Sequence, residues 1–138
     1  MEISRRDIAL LLPVVAAAQE KKKPSTIGSK VYLYEDLPVK PSGQNKGRAV
    51  LDQVTHGGFP VELHMTELGP GQMPHAPHQH AHEEIVMLRR GNLDVTIEGQ
   101  TTRLTPGSVA SVASGQLHGW KNPGPEPAEY FVIALGKA

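Results

Sequence analysis

The chain has 138 residues, enough for one domain whose core needs neither disulfides nor a structural metal to hold it together. Its 14 Lys and Arg balance 14 Asp and Glu, which argues against nucleic acid or an acidic membrane as partner and for a small, neutral one. It has no Cys, so thiolate ligands and a thiol nucleophile are excluded, and its few aromatics with 14 Gly and 12 Pro fit short strands and frequent turns.

At the N-terminus, Met1 to Asp7 carries Arg5 and Arg6, Ile8 to Ala18 is an apolar run, and Ala16-Ala17-Ala18 offers a small-residue cleavage site. This layout predicts a signal peptide over residues 1–18 that lies outside the fold. The 11-residue apolar run contains Pro13 and falls short of the roughly 20 residues of a bilayer span, so no stable membrane anchor is expected. Ser4-Arg5-Arg6-Asp7-Ile8 resembles a twin-arginine export signal, which moves folded proteins and implies an exported, periplasmic or secreted product. An amphipathic N-terminal helix is the alternative reading. Residues 19–30 are polar and broken by Pro24 and Gly28, as in a flexible leader, and residues 31–138 form the expected β-barrel domain.

Val31 to Tyr34 is a short strand candidate. Arg48 to Thr55 and Phe59 to Leu68 flank His56-Gly57-Gly58 and predict a hairpin. In the second run Val61, Leu63 and Met65 alternate with Glu62, His64 and Thr66, giving one dry and one wet face. His64 on the wet face reads as a surface or ion-paired histidine. Gly69-Pro70-Gly71 then opens a proline-rich rim from which His78-Gln79-His80-Ala81-His82-Glu83-Glu84 emerges. Glu84 to Leu88, Leu93 to Ile97, Thr101 to Leu104 and Ser108 to Val112 follow as strands separated by glycine turns. Short strands at nearly regular spacing predict an all-β sandwich or barrel. The last run, Glu129 to Leu135, is apolar on both faces and needs cover on both, one from a second sheet and one from a partner subunit, hence a homodimer.

The histidine run carries the chemistry. In an extended strand His78, His80, His82 and Glu84 share one face while Glu83 points away. Imidazole and carboxylate are the donors that intermediate divalent metals favour. His118 follows Glu84 by 34 residues, and only a folded β-structure returns it to the cluster.

The residues around both halves resemble the two sequence motifs of the cupin superfamily, over Gly71 to Asn122. Gly71, His78, His80, Glu84 and Gly91 follow the first motif, with six residues rather than the usual five between Gly71 and His78. Gly107, Gly115, His118 and Asn122 follow the second, with Ala113 at the usual proline position. The resemblance implies a double-stranded β-helix of the jelly-roll kind and the metal ligands His78, His80, Glu84 and His118. His82 then becomes a rim or supporting residue, and His75 at the entrance a solvated histidine or a proton shuttle.

Three neutral imidazoles and one carboxylate leave a divalent ion one positive charge with which to polarise an oxygen or acidify a water. A mixed nitrogen and oxygen set without sulfur favours manganese or iron, with nickel, cobalt, copper and zinc also compatible. What the resemblance implies for activity is broad, spanning dioxygenases, isomerases, decarboxylases and lyases, and fold alone does not choose. The expectation is an exported metal-binding protein that is a small metalloenzyme, dioxygenase-like or lyase/isomerase-like, acting on a small organic molecule. The alternative is a non-catalytic module that binds a metal or small ligand. No catalytic acid or base is assigned, with Tyr130 and His64 as candidate helpers. Val86, Leu88, Leu93, Val95, Ile97 and Trp120 point inward on the same parity, as pocket lining or as core filling.

Overall fold

The computed structural model describes residues 22–137, so the expected signal segment and the first residues of the leader lie outside the described residues. Alternating apolar and polar side chains produce the strands β1 (Val39–Ser42), β2 (Asn45–Val54), β3 (Pro60–Leu68), β4 (Glu83–Arg90) and β5 (Leu93–Ile97). They continue with β6 (Gln100–Leu104), β7 (Val109–Val112), β8 (His118–Lys121) and β9 (Ala128–Leu135). Two sheets result, one in the order β1-β2-β3-β9-β4-β7 and one in the order β6-β5-β8, every pairing antiparallel. This is the all-β jelly-roll barrel expected from the sequence. Among the described residues no helix is long and apolar enough to cross a membrane.

The sheets close on a core of Leu68, Val86, Leu88, Leu93, Val95, Trp120, Tyr130 and Val132, each at most 4% exposed. Burying side chains of this size stabilises the fold by roughly 1.5–3 kcal/mol apiece. Val86, Leu88 and Leu93 therefore fill one end of the barrel, while Val95 with Ile97, Leu104 and Ala110 also lines a cavity of ≈ 510 Å³. Two polar groups enter this plug as a matched pair, the Trp120 indole N–H donating to the Tyr130 hydroxyl at 2.8 Å. Asn122, fully buried, donates to the carbonyls of Leu68 and Glu126 and accepts from the Gly124 N–H.

The structure corrects three local expectations. Val31 to Tyr34 does not form a strand; Tyr34–Asp36 is a 3-10 turn, because the place beside β2 is taken by β1. This segment lies on the outer face of the large sheet, where Tyr34 donates to the buried Glu129 at 2.9 Å and Glu129 pairs with Arg89. The leader is also not wholly free, since the backbones of Ser25 and Ile27 bond to Val54.

The third correction concerns β3. Its polar residues Glu62, His64 and Thr66 oppose Ala134, Val132 and Tyr130, so the wet face turns into the barrel. Val61, Leu63 and Met65 oppose Leu135, Ile133 and Phe131 on the outer face. Tyr32, Tyr34 and Leu37 cover Met65 and Phe131 there, while Ile133 and Leu135 stay half-buried. Inside, Tyr130, Val132 and Ala134 of β9 are buried, as its two apolar faces require.

Turn glycines set the registers. Gly91 has φ +77, and a Cβ there lies 2.5 Å from the Pro127 carbonyl oxygen and 2.8 Å from the Ala128 Cα. Gly99 has φ +80 with open space around it. Gly99→Ala is expected to cost about 1 kcal/mol from backbone strain alone. Gly91→Ala is expected to cost more than about 2 kcal/mol, because overpacking against rigid backbone adds to the same strain. Urea denaturation of the two variants beside the parent measures the difference, and equal losses would refute the close approach.

Candidate metal centre

The histidine run does not form one continuous strand. β4 begins at Glu83, and a bend at Ala81 and His82 precedes it. Glu84 stands on β4 in the large sheet, opposite Val112 and Ala134. His78 instead pairs with His118 beside the small sheet, each backbone N–H donating to the other residue's carbonyl at 2.9 Å. The Gly115 N–H donates to the His80 carbonyl at 2.8 Å, tying the two halves together a second time. His78, His80, His118 and Glu84 thus converge across the corner between the sheets, not along one strand face.

The ring centroids of His78, His80 and His118 are 4.7 to 5.0 Å apart. Glu84 bridges two of them, with Oε1 3.3 Å from His80 Nε2 and Oε2 3.3 Å from His118 Nε2. The outer nitrogens are committed elsewhere: His80 Nδ1 lies 2.9 Å from the His82 carbonyl and His118 Nδ1 2.9 Å from the Gln116 carbonyl. A carbonyl only accepts, so each Nδ1 carries the proton and each Nε2 presents a lone pair. The Nε2 atoms of His78, His80 and His118 and Oε2 of Glu84 are buried with no hydrogen-bond partner. Burial, and then the neighbouring His75, His118 and His80, hold the His78 imidazole below its usual range, which favours its neutral form, while Glu84 opposes this.

These atoms fit a divalent cation. The ligating atoms of His78, His80 and His118 lie within 4.8 Å of one another, as do those of His80, His82 and Glu84. Lone pairs on neutral imidazoles with a carboxylate form a donor set for such an ion, and the carbonyls behind His80 and His118 fix the ring orientations.

The remaining candidates separate by contact. His82 stacks on His80 with ring centroids 3.6 Å apart, and its Nε2 lies 3.3 Å from Glu84 Oε1. It steadies two of the four residues through its ring and its carbonyl. His75 is exposed, its ring 4.0 Å from that of His78. His64 donates from Nδ1 to both Glu62 carboxylate oxygens at 2.9 Å, on the inner face of β3. Burial pushes the Tyr130 phenol far above its ordinary range, so this hydroxyl acts as a neutral partner of Trp120. Sequence reasoning missed Glu62, which lines with Asp52, His82, Glu84 and Ala134 a cavity of ≈ 410 Å³. The alternation of Glu62 with Val61 and Leu63 was its signal, but nothing in that pattern says which face turns inward.

Residues 64–134 match the Cupin domain family. No curated protein gives a significant sequence match. Among solved structures, an RmlC-like cupin from Shewanella frigidimarina superposes with a TM-score of 0.68 at 15% identity, over 80% of this chain and 93% of that one. A predicted oxalate decarboxylase from Thermotoga maritima gives 0.67 at 16% identity, over 78% of this chain and 100% of that one. The polyketide cyclase RemF from Streptomyces resistomycificus gives 0.64 at 17% identity, over 80% of this chain and 81% of that one. At these identities the likeness establishes the fold.

The geometry separates ligand from support. His118→Ala is expected to abolish stoichiometric metal uptake by the purified protein. His82→Ala is expected to retain the ion with affinity lower by about 10- to 100-fold, as for residues that orient ligands. Elemental analysis and calorimetric titration check both, and full occupancy in His118→Ala would remove that residue from the site.

Proposed function

The chain belongs to the cupin family, and from that premise we propose that it is an exported metalloenzyme acting on a small organic molecule bound beside His78, His80, Glu84 and His118. The observation that carries this reading is the group of four buried donor atoms with no partner in the protein. Manganese or iron suits the mixed nitrogen and oxygen donors best. The ion supplies a Lewis acid that polarises an oxygen of the substrate or of water.

The protein's own part is to prepare that place. The His82 and Gln116 carbonyls hold the rings of His80 and His118 with their lone pairs inward. His82 Nε2 steadies one oxygen of Glu84 and leaves the other for the ion. Val112 and Val86, at most 1% exposed, keep water from the floor behind Glu84. The reaction is of dioxygenase-like or lyase/isomerase-like class. Turnover is favoured over simple binding because two of the similar structures bear enzyme names, a predicted oxalate decarboxylase and a polyketide cyclase. Export rests on the paired arginines, apolar run and small-residue site within residues 1–18.

The purified protein is expected to carry manganese or iron near one ion per chain. Affinity should fall on acidification, since protons compete for the imidazole nitrogens. Burial holds His78 below the ordinary imidazole range, so loss of that lone pair, and of the ion with it, falls on the acid side of that range. Calorimetry across that range, with an oxygen-uptake and carbon-dioxide-release screen over catechols, diketones, alkenes and small carboxylic acids, tests the reading. A fully loaded protein that turns over none of them would favour the binding module instead.

The half-buried Ile133 and Leu135 on the outer sheet face, with the exposed Val109, are the surface on which a second copy packs. Light scattering is expected to give twice the chain mass, and Ile133→Glu to give the monomer. A monomeric parent at micromolar concentration would refute the dimer.

A further inference from the structure

One row of side chains crosses the inner face of the large sheet at the level of the metal centre. Glu84 on β4 opposes Ala134 on β9, Ala134 opposes Glu62 on β3, and Glu62 opposes Asp52 on β2. Directly opposed residues of an antiparallel ladder share a face. With strands about 4.8 Å apart, the Glu84 and Glu62 backbones stand about 10 Å from each other. The residue between them carries only a methyl group. Its inner-face neighbours along β9, Val132 and Tyr130, are larger and fully packed, so the floor dips at Ala134.

From this row we infer that the substrate lies in the slot between Glu84 and Glu62, with its metal-binding group at Glu84 and a hydroxyl or amino group at Glu62, and that Ala134 sets the size admitted. The inference rests on the metal reading above and adds the substrate class to it. Three observations converge on it. The ≈ 410 Å³ cavity is lined by residues of this row, together with His82. Glu84, 9% exposed, has its Oε2 buried and unpartnered, and His82 Nδ1 in the same lining is also buried and unpartnered. At the far end both Glu62 oxygens accept from His64 Nδ1, which holds the carboxylate in one orientation and leaves further lone pairs for a donor from the ligand.

The charges choose the chemistry. Glu62 and Asp52 are acceptors directly opposite each other, and only Lys137 among the other cavity residues carries positive charge. A ligand end that donates protons is favoured there, and a second carboxylate is repelled. The slot is therefore built for a short molecule with an acidic, metal-binding head and a hydroxyl or amine a few atoms away.

The cobalt(II)-loaded full chain gives a readout independent of turnover, because its visible spectrum changes when a carboxylate enters the coordination sphere. Propionate, 3-hydroxypropionate, 3-aminopropionate and malonate serve as probes. The parent is expected to bind the hydroxy and amino acids about tenfold more tightly than propionate. Glu62→Gln should erase most of that preference, and Ala134→Val should weaken the hydroxy and amino acids more than propionate while cobalt content stays at the parent level. Equal affinity for all four probes, or parent-like preference in Glu62→Gln, would overturn the inference while leaving the metal centre standing. A chain that takes up no cobalt would overturn both.

Discussion

Two backbone hydrogen bonds between His78 and His118 hold the two halves of the site in one place. Each is worth only about 1 kcal/mol net, so their effect is geometric. The same ladder continues where the Gly71 N–H meets the Asn122 carbonyl and the Asn122 N–H meets the Gln72 carbonyl. The rim thus completes the small sheet beyond β8, covering an edge that would otherwise present unpaired groups. Pro74 and Pro77 offer no donors and interrupt the ladder between its two ends. Gly119 permits the approach, since a Cβ there comes within 3.2 Å of Pro77.

Burial elsewhere in the barrel is well matched. Trp120 and Tyr130 satisfy each other, Asn122 uses both its amide nitrogen and oxygen, and Glu129 meets Arg89 and Tyr34. Among the described residues six buried side-chain atoms lack a partner, and five of them belong to His78, His80, His82, Glu84 and His118. The sixth, Arg48 Nε, belongs to a guanidinium stacked on Tyr34. Each unpaired buried group costs about 1–3 kcal/mol. Five of these six atoms share one corner, which sets that corner apart, and lone pairs facing one another there suit a cation.

Much of this was legible from residue order alone. β5 was read to the residue because Leu93, Val95 and Ile97 alternate within a continuous ladder, where the period of two is strict. The histidine run shows where that rule stops. Parity gave His82 the same standing as His80, but the bend at Ala81 and His82 ends the ladder, and the residues reach the centre from two sheets. Only the resemblance to the two cupin motifs chose His118 over His82. β3 shows a different limit: its alternation was right, yet the wet face is the interior, because this end of the barrel is a cavity and the outer face lies beneath Tyr32, Tyr34 and Leu37. The period gives two faces and does not say which one meets water.

The barrel also gives the site a direction. Trp120 stacks beside His118 with ring centroids 5.7 Å apart and is itself pinned by Tyr130, so the packed plug reaches directly to one side of the centre. The His118 side chain is 0% exposed, whereas those of His80, His82 and Glu84 keep 11% to 13%. Whatever approaches these atoms comes from the bend and β4 side, where the cavity that Glu84 and His82 share with Glu62 and Asp52 lies, and not through the apolar plug. The sites of order and of access are therefore separate: β8 supplies the fixed histidine, and the corner ahead of β4 supplies the side chains that face the entrance.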